Sequence, residues 1–163
     1  IRELIVILLV AISLLYFILA AQFESIIQPL IILSEIVVDI FFVLFGLWIF
    51  GESLNIMSMI GLVVMSGIII NDSILKVDTI NRLRKHGMPL LKAVFTGGHS
   101  RLKPIIMTSL TTILAIAPFL NRVDMGSDLQ YPLSLSIIIG MSVGTIVSLF
   151  FIPLIYYVIY RKH

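Results

Sequence analysis

Five long apolar runs, each about the length of a membrane span, constrain this sequence more than any other feature. A helix rises about 1.5 Å per residue, so crossing about 30 Å of hydrocarbon takes roughly 20 apolar residues. Residues 4–23 run without a charge between Glu3 and Glu24. Residues 29–50 form a second run that carries Glu35 and Asp39, and residues 56–80 a third with Asp72, Lys76 and Asp78 in its last turns. The fourth, 104–120, opens on Pro104, whose missing N–H is not needed in a first helical turn. The fifth, 132–160, is long enough to span with tilt and to project past the bilayer, and Pro153 is expected to bend its end. Between the third and fourth runs, 81–103 reads as a polar, basic connection with Gly87-Met88-Pro89 and Gly97-Gly98 as breakers. Within it, residues 90–95 are expected to form a short amphipathic helix along the inner membrane surface. Residues 121–130 read as a polar connection.

Composition excludes the soluble alternative. Charged residues make up 12% of the chain, against about 25% in a typical soluble domain, and hydrophobic residues 60%. The expected fold class is therefore an all-α membrane protein, a five-transmembrane-helix bundle occupying 1–163 as one domain. No cysteine is present, so disulfides and thiolate metal sites are ruled out. The sequence opens on Ile1 and shows no signal peptide, which points to a piece of a longer polypeptide.

Charge distribution sets the expected orientation. Lys and Arg in short loops stay on the cytoplasmic side. Arg82, Arg84, Lys85, Lys92, Arg101 and Lys103 of the third connection and Arg161 and Lys162 of the C-terminus belong to one side, whereas the other side holds only Arg2 and Arg122. The C-terminus is thus expected in the cytoplasm and the N-terminus outside. Tyr156, Tyr157 and Tyr160 fall where amphipathic rings are favoured at the inner interface.

Charges inside a membrane are costly and mark function by default. Asp72 and Lys76 are four residues apart and share a helix face. They fit either a protonatable carboxylate whose pairing changes during transport or a helix-end ion pair with Lys76 snorkelling to the interface. Glu35 and Asp39 have the same spacing. Two adjacent carboxylates repel, which allows a proton relay. The favoured reading for them is structural, with both facing a wet crevice or a neighbouring subunit. Thr108, Ser109, Thr111 and Thr112 form a hydroxyl cluster of the kind that bonds to its own backbone or bridges helices, at about 0.6 kcal/mol each in membranes. Gly140-Met141-Ser142-Val143-Gly144 is a GxxxG packing pattern. His86, His99 and His163 lack metal-ligand spacing, and no catalytic constellation, metal site or cofactor-binding motif is recognised.

Several motifs together resemble the resistance–nodulation–division (RND) efflux superfamily, and its multidrug branch most. Ala20-Ala21-Gln22-Phe23-Glu24-Ser25 with Gln28-Pro29-Leu30 resembles the turn after that family's eighth helix, and 67–78, reading GIIINDSILKVD, its tenth-helix motif. Residues 93–109 resemble the entry to the eleventh helix, and Phe151-Ile152-Pro153 the twelfth. The resemblance implies helices eight to twelve of a twelve-helix transporter. It further implies a homotrimer in the bacterial inner membrane, driven by inward proton flow, that exports amphiphilic substrates. A periplasmic adaptor and an outer-membrane channel would be its partners, with no nucleic acid, and the remainder of the same chain would complete it.

The family places adjacent aspartates on its fourth helix, absent here, and in many members a lysine opposite them on the tenth. Asn71 stands at that lysine position, followed by Asp72, with Lys76 one turn away. Thr108 matches the eleventh-helix threonine, and Arg101 a basic residue at the cytoplasmic entrance to the proton path. The resemblance gives Glu35 and Asp39 no role. Two other readings remain: a non-transporting accessory or assembly module of related fold, and a heavy-metal-exporting RND pump. An intramembrane enzyme is disfavoured.

Overall fold

The five apolar runs become five α-helices. The structure, a computed structural model, describes residues 2–121 and 126–162, so Arg122 and His163 lie outside it. The helices are α1 (Arg2–Phe23), α2 (Ile27–Ile49), α3 (Ile56–Lys85), α4 (Leu90–Ile116, prolonged by a 3-10 turn, Ala117–Leu120) and α5 (Ser127–Arg161). All five are long and apolar enough to cross a membrane. At about 1.5 Å per residue, the 30 residues of α3 and the 35 of α5 reach about 45 and 52 Å, well beyond a hydrocarbon core of about 30 Å.

Helix ends follow local chemistry. Both α2 and α3 stop at a glycine with positive φ, Gly51 (φ 71°) and Gly87 (φ 83°). Each closes a Schellman motif: the Glu52 N–H donates to the Leu47 carbonyl at 2.9 Å, and the Met88 N–H to that of Leu83 at 3.3 Å. Helix α3 opens on a capping box. Asn55 Oδ1 accepts from the Ser58 N–H at 2.8 Å, and Ser58 Oγ from the Asn55 N–H at 2.9 Å. Asn55→Ala should therefore lower stability by about 1 kcal/mol, read as a lower unfolding midpoint in detergent.

Three boundaries differ from the sequence expectation. The third connection shrinks from 81–103 to residues 86–89, because α3 runs to Lys85 and α4 starts at Leu90. Gly97, Gly98 and Pro104 sit inside α4 and do not break it. The reason is tertiary. Ala93 and Val94 are buried in the core, and Gly97 rests against Ile80 of α3, where a Cβ would come within 2.7 Å of Ile80 Cγ1. This packing outweighs the weak helix propensity of two glycines. The segment 90–95 is thus the first turn and a half of α4, not a separate surface helix. Helix α5 likewise begins at Ser127, earlier than 132, and encloses both Pro132 and Pro153.

Helix α5 is the hub, packed against α2, α3 and α4, while α1 lies along α2. Contacts run Gly61 to Leu133, Gly140 to Met65 and Gly144 to Ile69, so α3 and α5 are parallel. Gly46 meets Ile139, and Gln28 meets Asn81 and Tyr160, so α2 is antiparallel to both. The GxxxG glycines do what the spacing implied: each leaves room for a side chain of α3. Outward positions are apolar, including Phe41, Phe45 and Trp48, which stack along the exposed face of α2.

Candidate functional site

The core of α2, α3 and α5 is divided by a polar layer. On one side pack Ile32, Ile36, Val77, Ile80 and Ile152; on the other, Val43, Leu47, Met65, Ile69 and Met141. Between them lie Glu35, Asp39, Ser73, Lys76 and Ser148, each at most 1% exposed. Helical spacing puts them there. Glu35 and Asp39 continue the buried stripe of Ile31, Ile32 and Ile36 along α2, Ser73 and Lys76 continue that of Ile69 and Asp72 along α3, and Ser148 falls between Gly144 and Ile152 on α5.

Hydrogen bonds link the layer across all three helices. Ser73 Oγ donates to Glu35 Oε2 and lies 3.3 Å from Ser148 Oγ. Lys76 Nζ donates to Ser148 Oγ at 2.8 Å and also to the Ser148 carbonyl. Glu35 Oε1 and both Asp39 carboxyl oxygens are buried with no hydrogen-bond partner. Lys76 acts electrostatically on both Glu35 and Asp72, and Asp39 on Glu35.

Two sequence expectations change here. Lys76 does not snorkel: its ammonium points into the bundle, held by α5. Glu35 and Asp39 face neither a wet crevice nor a neighbouring subunit; they face the interior of this same bundle.

A second polar network closes the basic end of the three helices. Gln28 Nε2 donates to Asn81 Oδ1 at 3.1 Å and to the Tyr160 hydroxyl at 3.0 Å, and the Tyr156 hydroxyl donates to Asn81 Oδ1 at 2.5 Å. Arg84 donates to the Tyr156 hydroxyl at 3.2 Å and lies 4.8 Å from the Tyr160 ring centroid. Tyr156 is fully buried among these helices.

The sequence profile described as the AcrB/AcrD/AcrF family matches residues 2–160. The chain belongs to that family. It is 32% identical over 149 residues to the "Multidrug resistance protein MdtC" of Erwinia amylovora, which covers 91% of this chain and 15% of that protein. It is 29% identical over 157 residues to the "Swarming motility protein SwrC" of Bacillus subtilis, covering 94% of this chain and again 15% of the relative. The crystal structure of a heavy metal efflux pump superposes with a TM-score of 0.86 at 29% identity, covering 96% of this chain and 16% of that one. The chain therefore spans about 15% of the length of the curated relatives it matches.

As an RND transporter segment, the chain places the residues that carried the family resemblance in separate settings. Asp72 is buried beside the polar layer, whereas Asn71, next to it, is exposed. Thr108 is also exposed, and its hydroxyl donates to the Pro104 carbonyl at 3.0 Å. Thr111 and Thr112 bond to their own backbone in the same way. Ser109 alone of that group is buried, and it bonds to Thr145 of α5. Arg101 is half-buried, and its Nε donates to Thr79 Oγ1 at 2.8 Å, tying α4 to α3 one turn beyond Lys76. So Glu35, Asp39, Lys76 and Asp72 come together, while Asn71, Arg101 and Thr108 stand apart from them. Ser73 and Ser148 escaped the sequence analysis. Their only signal was position: Ser73 follows Asp72 on α3, and Ser148 continues the Gly140–Gly144 stripe of α5.

Proposed function

We propose that this chain is the C-terminal membrane portion, helices eight to twelve, of a proton-motive-force-driven pump that exports hydrophobic and amphiphilic compounds. The observation that carries this reading is the family match across 2–160. The likeness to MdtC, a protein named for multidrug resistance, supports the substrate class. The charge count supports an inner-membrane setting with the C-terminus in the cytoplasm and the N-terminal end of α1 on the periplasmic side. A homotrimer working with a periplasmic adaptor and an outer-membrane channel is the assembly that the family resemblance implies.

In this reading Asn71 and Thr108 line the face on which the remainder of the transporter's membrane domain docks. Their exposure supports it, since a polar side chain left open toward lipid is unfavourable. Asp72, one residue from Asn71, then connects that face to the buried layer. Protonation on the facing helices changes the field at Asp72 and Lys76, α3 shifts, and the movement is passed to the export domains. Asn71 supplies no positive charge at the family's lysine position, and Lys76, held inside the bundle by Ser148, bears on that face only by way of Asp72.

The test is transport by the full-length protein in proteoliposomes under an imposed proton gradient. Asp72→Asn and, separately, Thr108→Ala should each slow export of an amphiphilic dye by about tenfold, the effect of losing about 1.4 kcal/mol of coupling. Undiminished export in both would remove these residues from the machinery. The likeness to a heavy metal efflux pump supports a second reading, export of a soft metal ion. Metal uptake in the same vesicles, without dye transport, would favour it.

A further inference from the structure

We propose that Asp39 is a second proton-binding site, set inside this half of the membrane domain together with Glu35 and Lys76 and separate from the Asn71–Thr108 face.

Three ionisable side chains are fully enclosed in the layer, two carboxylates and one ammonium, each at most 1% exposed, while Asp72 at its edge is 8% exposed. Lys76 can balance one of them. Glu35 is the enclosed carboxylate joined to it, through the Ser73 and Ser148 hydroxyls. Among the described residues nothing balances Asp39. Neither of its oxygens accepts a hydrogen bond, and both are cut off from solvent.

The surrounding elements supply no other counter-charge. Helix α3 presents Lys76 and Asp72, and α5 presents the Ser148 hydroxyl and the backbone at Gly144, where a Cβ would stand 3.4 Å from Asp39 Oδ2. The charged residues of α1, Arg2 and Glu3, sit at its start, far from its middle turns. A bare carboxylate in such a place is far more costly than a neutral acid. One proton on Asp39 makes the enclosed Glu35–Asp39–Lys76 cluster neutral: the carboxylate and a proton combine to the acid, and no other reactant is needed.

Position makes that proton exchangeable only under control. Toward the basic end, Ile32, Val77 and Ile152 separate the layer from the Gln28–Asn81–Tyr156 network, and all three are fully buried. Toward the other end, Val43, Met65 and Met141 close it. The proton therefore enters or leaves only when α2, α3 and α5 shift against one another. Such a site couples proton occupancy to helix position. Its purpose rests on the reading of the chain as part of a proton-driven pump, but its existence does not.

Infrared difference spectra of the full-length protein in lipid, recorded across a pH titration, test this. The wild type should show the C=O band of a buried carboxylic acid. Asp39→Asn should lose the band, and Asp72→Asn should keep it. Asp39→Glu retains an acid and should retain the band at a shifted frequency, which guards against a variant that has simply failed to fold. A wild-type spectrum without the band, its survival in Asp39→Asn, or no shift in Asp39→Glu would overturn the site. A carboxylate signal that follows sodium concentration and ignores pH would also overturn it, since a metal cation would then hold the place of the proton. The readout does not depend on export: a protein that transports nothing can still show the band, and an active pump can lack it.

Discussion

Lys76→Met should destabilise the membrane domain by about 3–5 kcal/mol, the typical loss when a buried charge is left uncompensated. Methionine keeps the length and bulk of the lysine stem, so little of the loss comes from packing. The loss comes from Glu35, which keeps the Ser73 hydrogen bond but loses the only ammonium of the buried layer. Ser148 Oγ loses its lysine donor at the same time. Adding Glu35→Gln to Lys76→Met should recover most of the stability, because a neutral pair leaves no uncompensated charge behind. Unfolding midpoints of the wild type, both single variants and the double variant in one detergent give the coupling energy directly. A cost below about 1 kcal/mol for Lys76→Met, or no recovery in the double variant, would show that Glu35 and Lys76 are not a pair. The cycle also separates stability from transport. The double variant should fold, and if it exports substrate the pair is structural and the coupling lies elsewhere.

The pair shows how far the sequence could be read. Five spans, their order and the family resemblance were legible, because a membrane helix announces itself through some twenty apolar residues and the tenth- and eleventh-helix motifs are dense. The spacing of Glu35 to Asp39 and of Asp72 to Lys76 was also legible, since residues four apart on a helix share a face. Which face turned inward was not. Lys76 is held by Ser148, 72 residues later, and Glu35 by Ser73, 38 residues later. No local pattern encodes such a contact. The outward faces are as apolar as the inward ones, so the usual amphipathic signal is absent: α3 presents Val63 and Val64 outward and Ser66, Ser73 and Lys76 inward. The same cause explains the misplaced start of α4. Gly97-Gly98 reads as a break by propensity, and only the fit of Gly97 against Ile80 keeps the helix whole.

Gly61→Val should cost about 3 kcal/mol, or more if the helices cannot separate at all, and is the substitution by which the α3–α5 contact is best judged. A Cβ at Gly61 would come within 2.8 Å of the Leu133 carbonyl oxygen and 2.9 Å of Ser136 Cβ. The first of these is backbone in the second turn of α5, so no side-chain rotation relieves it. The two helices must part, and the small-residue seam that continues through Gly140 and Gly144 opens with them. Gly140 and Gly144 are less informative sites, since the atoms in the way belong to the flexible side chains of Met65 and Ile69. Gly98→Ala is the matched control. It lies in the interior of α4, its nearest obstacle is Pro153 Cγ at an ordinary 3.9 Å, and alanine is favoured over glycine in a helix by about 1 kcal/mol. It should be neutral or slightly stabilising. Unfolding midpoints of the two variants, measured side by side, should therefore move in opposite directions or only in Gly61→Val. Equal stability of Gly61→Val and the wild type would mean that α3 and α5 do not touch at that point. The parallel register of the two helices, and with it the placement of Ser148 beside Lys76 about 22 Å further along α3, would then have to be redrawn.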